Sequence, residues 1–333
     1  MIVETRKISV IVVSFNGRRF LHDCLEALSR QTYPHYEIIF VDNGSADSSV
    51  LFVRESYPGI KIVELSENRG FAGGNAAGLK VAEGDLIALL NNDARPEEKW
   101  LENLVFPMLQ DPKVGICASK LLLDDGTEKI NSAGDGVTTA GVGFNRGLGR
   151  EAACYSSSDH VFGACAAAVL YRRKMLDEIG FLDEDFFLYD EDTDLNFRAQ
   201  LAGWQCVYVP GAVVRHKLNA TSGRMSDVSV YYHTRNLEFV WIKNMPGRLM
   251  LRFAHHKLIQ EIGAFVYVCI QHKKYGPFFK GKRDALRLMG KMWDKRREIQ
   301  RQRRVPSFYV KEMLTPVFAG ELIRQKISQL FRG

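Results

Sequence analysis

Hydrophobic and polar positions follow two different periods along the first 120 residues. Four short apolar runs rich in β-branched residues predict buried strands: residues 8–13, 36–41, 60–63 and 86–90. Between these runs, three segments favour helices: residues 20–31, 48–56 and 75–82. The alternation predicts an α/β fold with a doubly wound, mostly parallel, Rossmann-like sheet.

Polar residues follow three of the predicted strands at the point where each strand ends. They form the segments 14–16, 42–45 and 91–93. Because ligands of doubly wound sheets bind beyond the carboxyl ends of the strands, we expect the three segments to line one crevice. Taken alone, segment 42–45 also has the composition of a turn followed by a helix cap.

The glycine-rich segment 68–75 does not match the dinucleotide-binding pattern G-x-G-x-x-G, and it follows the third predicted strand rather than the first. The sequence has no P-loop pattern either, so NAD and P-loop chemistry are disfavoured. Two interpretations stay open for this segment. It is either a flexible connection or the start of a helix whose backbone N–H groups approach an anion.

Two residues are candidate ligands of a divalent cation. Asp93 ends an apolar strand, where its carboxylate could hold a hard cation, but it also precedes residues 96–98, which favour a helix start. His216 ends the second of two further predicted strands, at 206–210 and 213–216. A histidine in that position is either structural or a metal ligand.

An acidic segment spans residues 183–194, in which seven of the twelve residues are Asp or Glu. Aromatic and apolar residues at 186–189 indicate that part of the segment is buried beside its carboxylates. The pattern after it predicts a helix that begins near Asp190. The helix dipole favours ionised carboxylates, whereas crowding and burial raise their pKa values. Carboxylates on which these two opposing effects act are found as general bases and also in structural acidic clusters.

Charge divides the 333 residues into two parts. Residues 1–245 carry 25 Lys and Arg against 33 Asp and Glu, whereas residues 246–333 carry 20 against 6, a net charge of +14. No apolar run reaches the roughly 18–20 residues of a membrane span. The six cysteines form no C-x-x-C pair, which favours a reducing cytosol over a disulfide framework or a zinc site.

The basic part, residues 246–333, has two open interpretations. Its longest apolar stretch, residues 262–270, is too short to span a bilayer and is flanked by Lys, Arg and His. Apolar residues at helical spacing beside basic ones predict a helix that lies on an anionic membrane surface. The alternative is a helical cap that packs on the acidic body, residues 1–245. Nucleic-acid binding is disfavoured, because few stacking aromatics accompany the basic residues 296–304 and the acidic body repels a polyanion.

In this order, the segments together resemble the inverting GT-A glycosyltransferases of family 2, most closely the rhamnosyltransferase-like branch that builds bacterial polysaccharides. The matching stretches are collinear: residues 12–16, 41–45, 68–75, 90–93, 163–165, 186–195, 214–216 and 235–236. The resemblance implies a GT-A catalytic domain over residues 1–245 and a basic helical extension over 246–333. Within the domain, residues 1–120 would bind the nucleotide sugar and 121–245 the acceptor.

The resemblance also implies roles for individual residues. Asp192 would be the base that deprotonates the acceptor, with Glu191 beside it, and Asp93 and His216 would bind Mg²⁺ or Mn²⁺. Asp42 would contact the nucleobase. The other residues implied at the nucleotide-sugar crevice are Ser14, Asn16, Asn68, Gly70, Asn75, Asn91 and Asn92. Asn91 replaces the first acidic residue of the family's D-x-D motif, so Asp93 would be the one carboxylate that this motif gives to the ion.

The implied activity is the transfer of a sugar, with inversion, from a nucleoside-diphosphate donor to a hydroxyl of a glycan or lipid-linked glycan. The first donor to expect is deoxythymidine-diphosphate rhamnose, and the expected location is the cytoplasm, at the inner face of the membrane. A non-catalytic nucleotide-sugar- or glycan-binding protein on the same fold is the main alternative, because fold does not fix function.

Overall fold

The computed structural model describes residues 6–217 and 225–320. Its strands are β1 Ile8–Ser14, β2 Tyr36–Asp42, β3 Lys61–Glu64, β4 Leu86–Leu90, β5 Ala94–Pro96, β6 Val114–Leu123, β7 Ile130–Ala133, β8 Asp135–Val137, β9 Gly143–Asn145, β10 Asp159–Val161, β11 Ala168–Arg172 and β12 Gln205–His216. Its helices are α1 Arg18–Ser29, α2 Ser49–Ser56, α3 Gly70–Val81, α4 Trp100–Gln110, α5 Arg173–Ile179, α6 Glu191–Leu201, α7 Asp227–Asn244, α8 Gly247–Arg252, α9 Ala254–Phe265, α10 Tyr275–Gln302 and α11 Ser307–Met313.

A ten-stranded sheet forms the centre of the fold. Along its main path the strands follow the order β10-β12-β6-β11-β4-β1-β2-β3, with β5 paired to β12 and β7 paired to β6. Strands β1 to β4 are parallel to one another, and β6 is parallel to β12. The predicted α/β class and mostly parallel sheet are therefore confirmed. Apolar clusters cover both faces of the sheet.

The glycine-rich segment is helical, so the interpretation as a flexible connection was wrong. Helix α3 begins at Gly70, whereas the sequence pattern placed its start near Asn75. Its glycines allow the helix to lie close to the sheet. A Cβ atom at Gly74 would come within 2.6 Å of Val13, and one at Gly78 within 2.6 Å of Ile11. Glycine disfavours helices, which is why the pattern missed the first turn.

Two other elements differ from the prediction. Asp93 does not cap a helix, because the residues after it form β5, which pairs antiparallel with β12, and α4 starts later, at Trp100. The two strands predicted between residues 206 and 216 are one strand, β12. A register shift between Val209 and Val213 interrupts its pairing with β6, which explains the break in the apolar pattern.

The C-terminal helices share a hydrophobic core with the part of the chain before residue 246. Ala285 and Met292 of α10 and Val310 of α11 are buried in one cluster with Phe186 and Phe239. The inner face of the basic part therefore packs as a helical cap, one of the two interpretations of the sequence. Residues 321–333 lie outside the described residues. Among the described helices, none is both long and apolar enough to cross a membrane.

Candidate active site

The first wall of the candidate site is formed by the ends of β1 and β2. Ser14 and Asp42 are adjacent in the parallel register. The Asn16 N–H donates to Ser45 Oγ over 2.9 Å, and Asn16 Oδ1 accepts from the Ala46 N–H over 2.8 Å. These bonds tie the two loops together, as expected for the predicted crevice.

Asp42 is buried, and only one of its two carboxylate oxygens accepts a hydrogen bond in the described structure. Its Oδ2 accepts from the Ser45 N–H over 3.1 Å. Its Oδ1 has no hydrogen-bond partner within the part of the chain that the structure describes. Leaving a buried carboxylate oxygen without a donor is costly, so this atom is well suited to accept from a ligand N–H.

The start of α3 forms the second wall. Asn68 Oδ1 accepts from the Gly70 N–H over 2.8 Å, and Asn43 Nδ2 donates to Asn68 Oδ1 and to the Gly70 carbonyl. Gly70 has a φ of +70°, and a Cβ there would meet the Phe187 carbonyl at 2.2 Å. Asn75 is buried inside α3, where its Nδ2 donates to the Phe71 carbonyl. Its contact with a donor stays a prediction.

Asp93 and His216 lie together beyond β4 and β12. The carboxylate Oδ1 of Asp93 is 3.3 Å from Nε2 of His216, and Asn91 Nδ2 is also 3.3 Å from that nitrogen. Asn92 points the other way and donates to Ser14 Oγ over 2.9 Å. The predicted metal-binding residues are therefore adjacent to the nucleotide crevice.

The chemistry of this pair fits a divalent cation. Nδ1 of His216 lies 2.8 Å from Oδ1 of Asn131, an acceptor, so the ring proton belongs on Nδ1 and the lone pair on Nε2. That lone pair lies beside Asp93 Oδ1, a buried oxygen with no hydrogen-bond partner among the described residues. Two electron-pair donors this close are stabilised by a cation between them. Sequence reasoning missed Asn131.

Asp192 lies at the first turn of α6. Its Oδ2 accepts from the Ala166 N–H over 3.2 Å, and its Oδ1 accepts from its neighbour Thr193 over 2.7 Å. The adjacent Ala167 carbonyl accepts from the Asn91 N–H over 2.9 Å. One short segment, residues 166–167, therefore connects the candidate base to Asn91, which precedes the candidate metal ligand Asp93 by two residues.

Asp135 is a second carboxylate at this position that sequence reasoning missed. Ligand atoms of Asp135, Cys165 and Asp192 lie within 4.8 Å of one another. Ser132 Oγ donates to Asp135 over 2.8 Å. Burial, followed by the charge of Asp192, raises the pKa of Asp135 to about 8. Burial also raises the pKa of Asp192, and burial together with Asp192 raises that of Glu191 well above its usual range. A proton held by Asp135 leaves Asp192 as the ionised member of the pair.

A strained segment leads into α6. Phe187, Tyr189 and Asp190 all have positive φ values, between 63° and 69°. Asn236 of α7 holds this segment through Nδ2, which donates to the carbonyls of residues 186, 188 and 189. Arg235 donates to the carbonyls of residues 185 and 186. A strained backbone persists only where its surroundings hold it in place. Here the bonds from Asn236 and Arg235 hold the segment that leads to the candidate base.

The remaining carboxylates of the acidic segment are paired with cations. Lys243 contacts Asp183 over 2.6 Å and Asp194 over 2.7 Å, and Lys295 of α10 contacts Asp183 over 2.5 Å. Although burial opposes it, Lys243 and Lys295 hold the pKa of Asp183 well below its usual range, and Lys243 and Arg198 lower that of Asp194. These residues are structural.

Two proteins of similar sequence are named for O-antigen biosynthesis and for rhamnose transfer. The chain is 29% identical over 212 residues to the O-antigen biosynthesis protein RfbC of Myxococcus xanthus, a match that covers 61% of this chain but 16% of that protein. It is 26% identical over 245 residues to the N-acetylglucosaminyl-diphospho-decaprenol L-rhamnosyltransferase of Mycobacterium tuberculosis, covering 66% of this chain and 79% of that one. The chain therefore spans a small part of one relative and most of the other.

A solved structure has the same fold, and a family model matches the sequence. The mannosyltransferase PcManGT from Pyrobaculum calidifontis, solved with GDP-Man and Mn²⁺, has a TM-score of 0.54 and 18% identity, covering 92% of this chain and 86% of that one. The model of "Glycosyl transferase family 2" matches residues 9–180, more than half of the chain. The match includes the ends of β1, β2 and β4 that form the crevice. The chain therefore belongs to glycosyl transferase family 2.

Proposed function

We propose that this protein transfers a sugar, with inversion, from a nucleoside-diphosphate donor to a hydroxyl of a glycan or lipid-linked glycan in bacterial polysaccharide or cell-wall biosynthesis. One observation carries the proposal. Asp192, a carboxylate with no Lys or Arg beside it in the described structure, accepts a hydrogen bond from Ala166. The next residue, Ala167, bonds the Asn91 N–H, two residues before Asp93, which lies beside His216. A base that activates the acceptor hydroxyl and a cation site that binds the diphosphate lie on the same side of the site. This arrangement suits direct displacement of the diphosphate from the sugar carbon by the hydroxyl.

The donor would lie along the crevice between β1, β2 and α3. The free Oδ1 of Asp42 would accept an N–H of the nucleobase, and the loops at Asn16 and Asn68 would bound the ribose and diphosphate. Deoxythymidine-diphosphate rhamnose is the first donor to test. This choice rests on the similarity to a relative named as a rhamnosyltransferase.

Mg²⁺ or Mn²⁺ would be held by Asp93 and His216. Asn91 presents Nδ2, a hydrogen-bond donor, to His216 Nε2, so its amide would have to turn before Oδ1 could become a ligand. When bound, such a cation offsets the negative charge of the diphosphate leaving group. The Mn²⁺ in the mannosyltransferase structure supports a divalent cation. Asn131 would orient the imidazole, as hydrogen-bond partners of metal-bound histidines do.

Asp192 would accept the proton of the acceptor hydroxyl while the oxygen attacks the anomeric carbon opposite the leaving diphosphate. Its raised pKa suits this role, because a base works best when its pKa approaches the ambient pH. The backbone N–H groups of Ala166 and Thr193 hold the carboxylate in place. A single displacement of this kind needs no covalent intermediate and inverts the anomeric configuration.

We further propose that the basic helices hold the protein at the inner face of the cytoplasmic membrane, near a lipid-linked acceptor. Twelve of the seventeen large apolar side chains that are exposed in the described residues lie between residues 251 and 318. Four of them follow the helical period along one face of α10: Tyr275, Phe279, Leu286 and Trp293. An apolar stripe beside basic residues suits a helix in the lipid interface.

A panel of nucleotide sugars tests the enzymatic proposal. Thermal unfolding is measured with each nucleotide sugar, with and without Mg²⁺ or Mn²⁺, and turnover is then measured for the donors that bind. A donor at 100 times its Kd should stabilise the fold by about 2.7 kcal/mol. Metal-dependent stabilisation followed by sugar transfer supports the proposal. Binding without transfer to any glycan or lipid-linked acceptor would instead favour a nucleotide-sugar-binding protein.

A further inference from the structure

An open groove of about 1000 Å³ lies among α8, α10 and α11, in the C-terminal helices. Five arginines line it: Arg248, Arg296, Arg297, Arg301 and Arg303. No Asp or Glu is among the lining residues. Arg297 pairs with Asp294, which leaves four guanidinium groups without a carboxylate partner in the described structure. A concave surface of this kind has a positive potential, which concentrates anions.

The arginines of this groove differ from the other cations of the C-terminal helices. Among residues 246–320, ten of the seventeen Lys and Arg side chains pair with a carboxylate of the described structure. Seven have no such pair, and four of the seven line the groove: Arg248, Arg296, Arg301 and Arg303. Six of the ten pair with carboxylates of residues 1–245, and the other four pair with carboxylates of the C-terminal helices themselves. Of the five groove arginines, only Arg297, which pairs with Asp294, has a counter-charge in the described structure.

Arg296 shows that the groove is built into the fold. It is buried, and its Nη1 donates to the carbonyls of Ile242 and Met245 at the end of α7, each over 2.7 Å. Burial, and then the nearby charge of Arg303, lowers the pKa of Arg296. The fold thus holds like charges together, an arrangement that an anion between them would stabilise.

Aromatic residues stand beside the arginines. Trp293 and Phe308 line the same groove and are 44% and 68% exposed. Trp293 also ends the exposed apolar stripe of α10 that begins at Tyr275. Exposed aromatic rings next to cationic side chains are typical of surfaces that lie at the headgroup level of a bilayer.

The groove is separate from the sugar-transfer site. Along α7, His233 bonds Asp190 near the candidate base, whereas the groove lies beyond Asn244 at the other end. Eleven residues of helix place these two points about 16 Å apart along the helix axis. The groove is therefore not part of the donor crevice.

We propose that this arginine groove binds the phosphate headgroups of anionic phospholipids and orients the protein on the membrane. The inference rests on the proposed membrane association and names the site responsible for it. Guanidinium groups donate two parallel hydrogen bonds to phosphate, which gives the groove a specificity that scattered lysines lack. The exposed Trp293 and Phe308 would enter the interface beside the bound headgroup.

The test compares two triple variants of the full chain that remove the same charge. The groove variant carries Arg248→Gln, Arg301→Gln and Arg303→Gln, and keeps the buried Arg296. The control carries Arg283→Gln, Arg287→Gln and Lys311→Gln, whose side chains pair with Asp284 and Glu312. Binding is measured by flotation with vesicles of phosphatidylcholine alone or mixed with phosphatidylglycerol, and in competition with inorganic phosphate. Nucleotide-sugar stabilisation is measured for each protein.

We expect the groove variant to lose at least about tenfold in affinity for the mixed vesicles, because each engaged basic residue contributes on the order of fivefold. The control should stay close to the parent protein, and phosphate should compete weakly. Equal losses in the two variants, or full displacement by phosphate, would overturn the groove as a headgroup site. If the parent protein binds neither vesicle, membrane association fails as well, whereas nucleotide-sugar stabilisation still decides the transfer activity independently.

Discussion

The two sets of carboxylates in the acidic segment 183–194 have opposite surroundings. Asp183, Asp185 and Asp194 contact Lys243, Lys291, Lys295 and Arg198, and their pKa values are lowered. Glu191 and Asp192 pair with no Lys or Arg among the described residues, and their pKa values are raised. All of these residues are acidic in sequence, so sequence alone does not distinguish them. What distinguishes the structural carboxylates from the candidate base is whether a cation pairs with them. The paired set joins α6, α7 and α10 into one unit.

The largest effect is expected at Asp192. Asp192→Asn should lower turnover by about 10²–10⁴-fold, because it removes a general base while keeping the shape of the side chain. Donor affinity should be unchanged. The free energy of unfolding should fall by about 1–3 kcal/mol at most, because the amide loses one acceptor for the backbone N–H groups of Ala166 and Thr193 but no salt bridge is lost. The measurement is steady-state transfer together with thermal unfolding. If Glu191→Gln abolished turnover and Asp192→Asn did not, the base would have to be reassigned to Glu191.

A substitution at the ion-paired residues should lower the free energy of unfolding rather than the turnover. Lys243→Met leaves Asp183 and Asp194 without their shared cation, and breaking a buried pair costs about 3–5 kcal/mol. Urea denaturation measures the loss of unfolding free energy. Lys311→Met is the matched control, because its pair with Glu312 is exposed and contributes about 0–1 kcal/mol. Similar stabilities for the two variants would contradict a structural role for the Lys243 pairs.

Metal affinity tests whether Asp93 and His216 form a cation site or are ordinary buried polar groups. Asn131→Ala should weaken Mn²⁺ binding by about 10–100-fold, because His216 loses the acceptor that orients its ring. Asp93→Ala should weaken metal-dependent donor binding, and excess EDTA should have the same effect. Mn²⁺ titration calorimetry and donor-induced thermal shifts measure these changes. Full sugar transfer in excess EDTA would rule out the proposed metal dependence.

A smaller effect is expected at Asp135. Asp135→Asn keeps the position beside Asp192 neutral at every pH, whereas Asp135 loses its proton near pH 8. The change in kcat/KM that this ionisation causes near pH 8 should therefore disappear in the variant, while the acid limb stays in place. The native fold binds the Asp135 proton more tightly than the unfolded chain does, since its pKa is raised to about 8. Native stability should therefore decline as the pH rises toward 8, and this decline should be smaller in the variant.

A change in kcat/KM near pH 8 that persisted in Asp135→Asn would contradict the coupling of the two carboxylates. Asp159→Asn is a suitable control. Its exposed side chain pairs with Arg146, so it alters a surface charge without altering the charge beside Asp192. That variant should reproduce the pH profile of the parent protein.

The sheet and the crevice could be predicted from the sequence because they depend on local patterns. Apolar runs mark β1, β2 and β4, and the rule that parallel strands end at one edge brings Ser14, Asp42 and Asn91 together. The spatial grouping was therefore predictable, whereas the roles of these residues stay predictions. Helix α3 was placed too late because its first turn is rich in glycine.

The rest of the site depends on contacts that no local pattern encodes. Asn131 lies on β7 and Asp135 on β8, which are four and three residues long and too short to show a period. The one local signal for Asp135 was its place between two glycines. The cations that neutralise Asp183 come from positions 60 and 112 residues later in the chain. Sequence reasoning alone could not assign them.

The stereochemistry of the product tests the central claim most directly. Nuclear magnetic resonance of the glycoside, made with the donor that the nucleotide-sugar panel identifies, gives the anomeric configuration of the transferred sugar. Attack by a hydroxyl that Asp192 deprotonates, opposite the leaving diphosphate, predicts a configuration inverted relative to the donor. A retained configuration would contradict the account, because it would require a second displacement or attack from the same face.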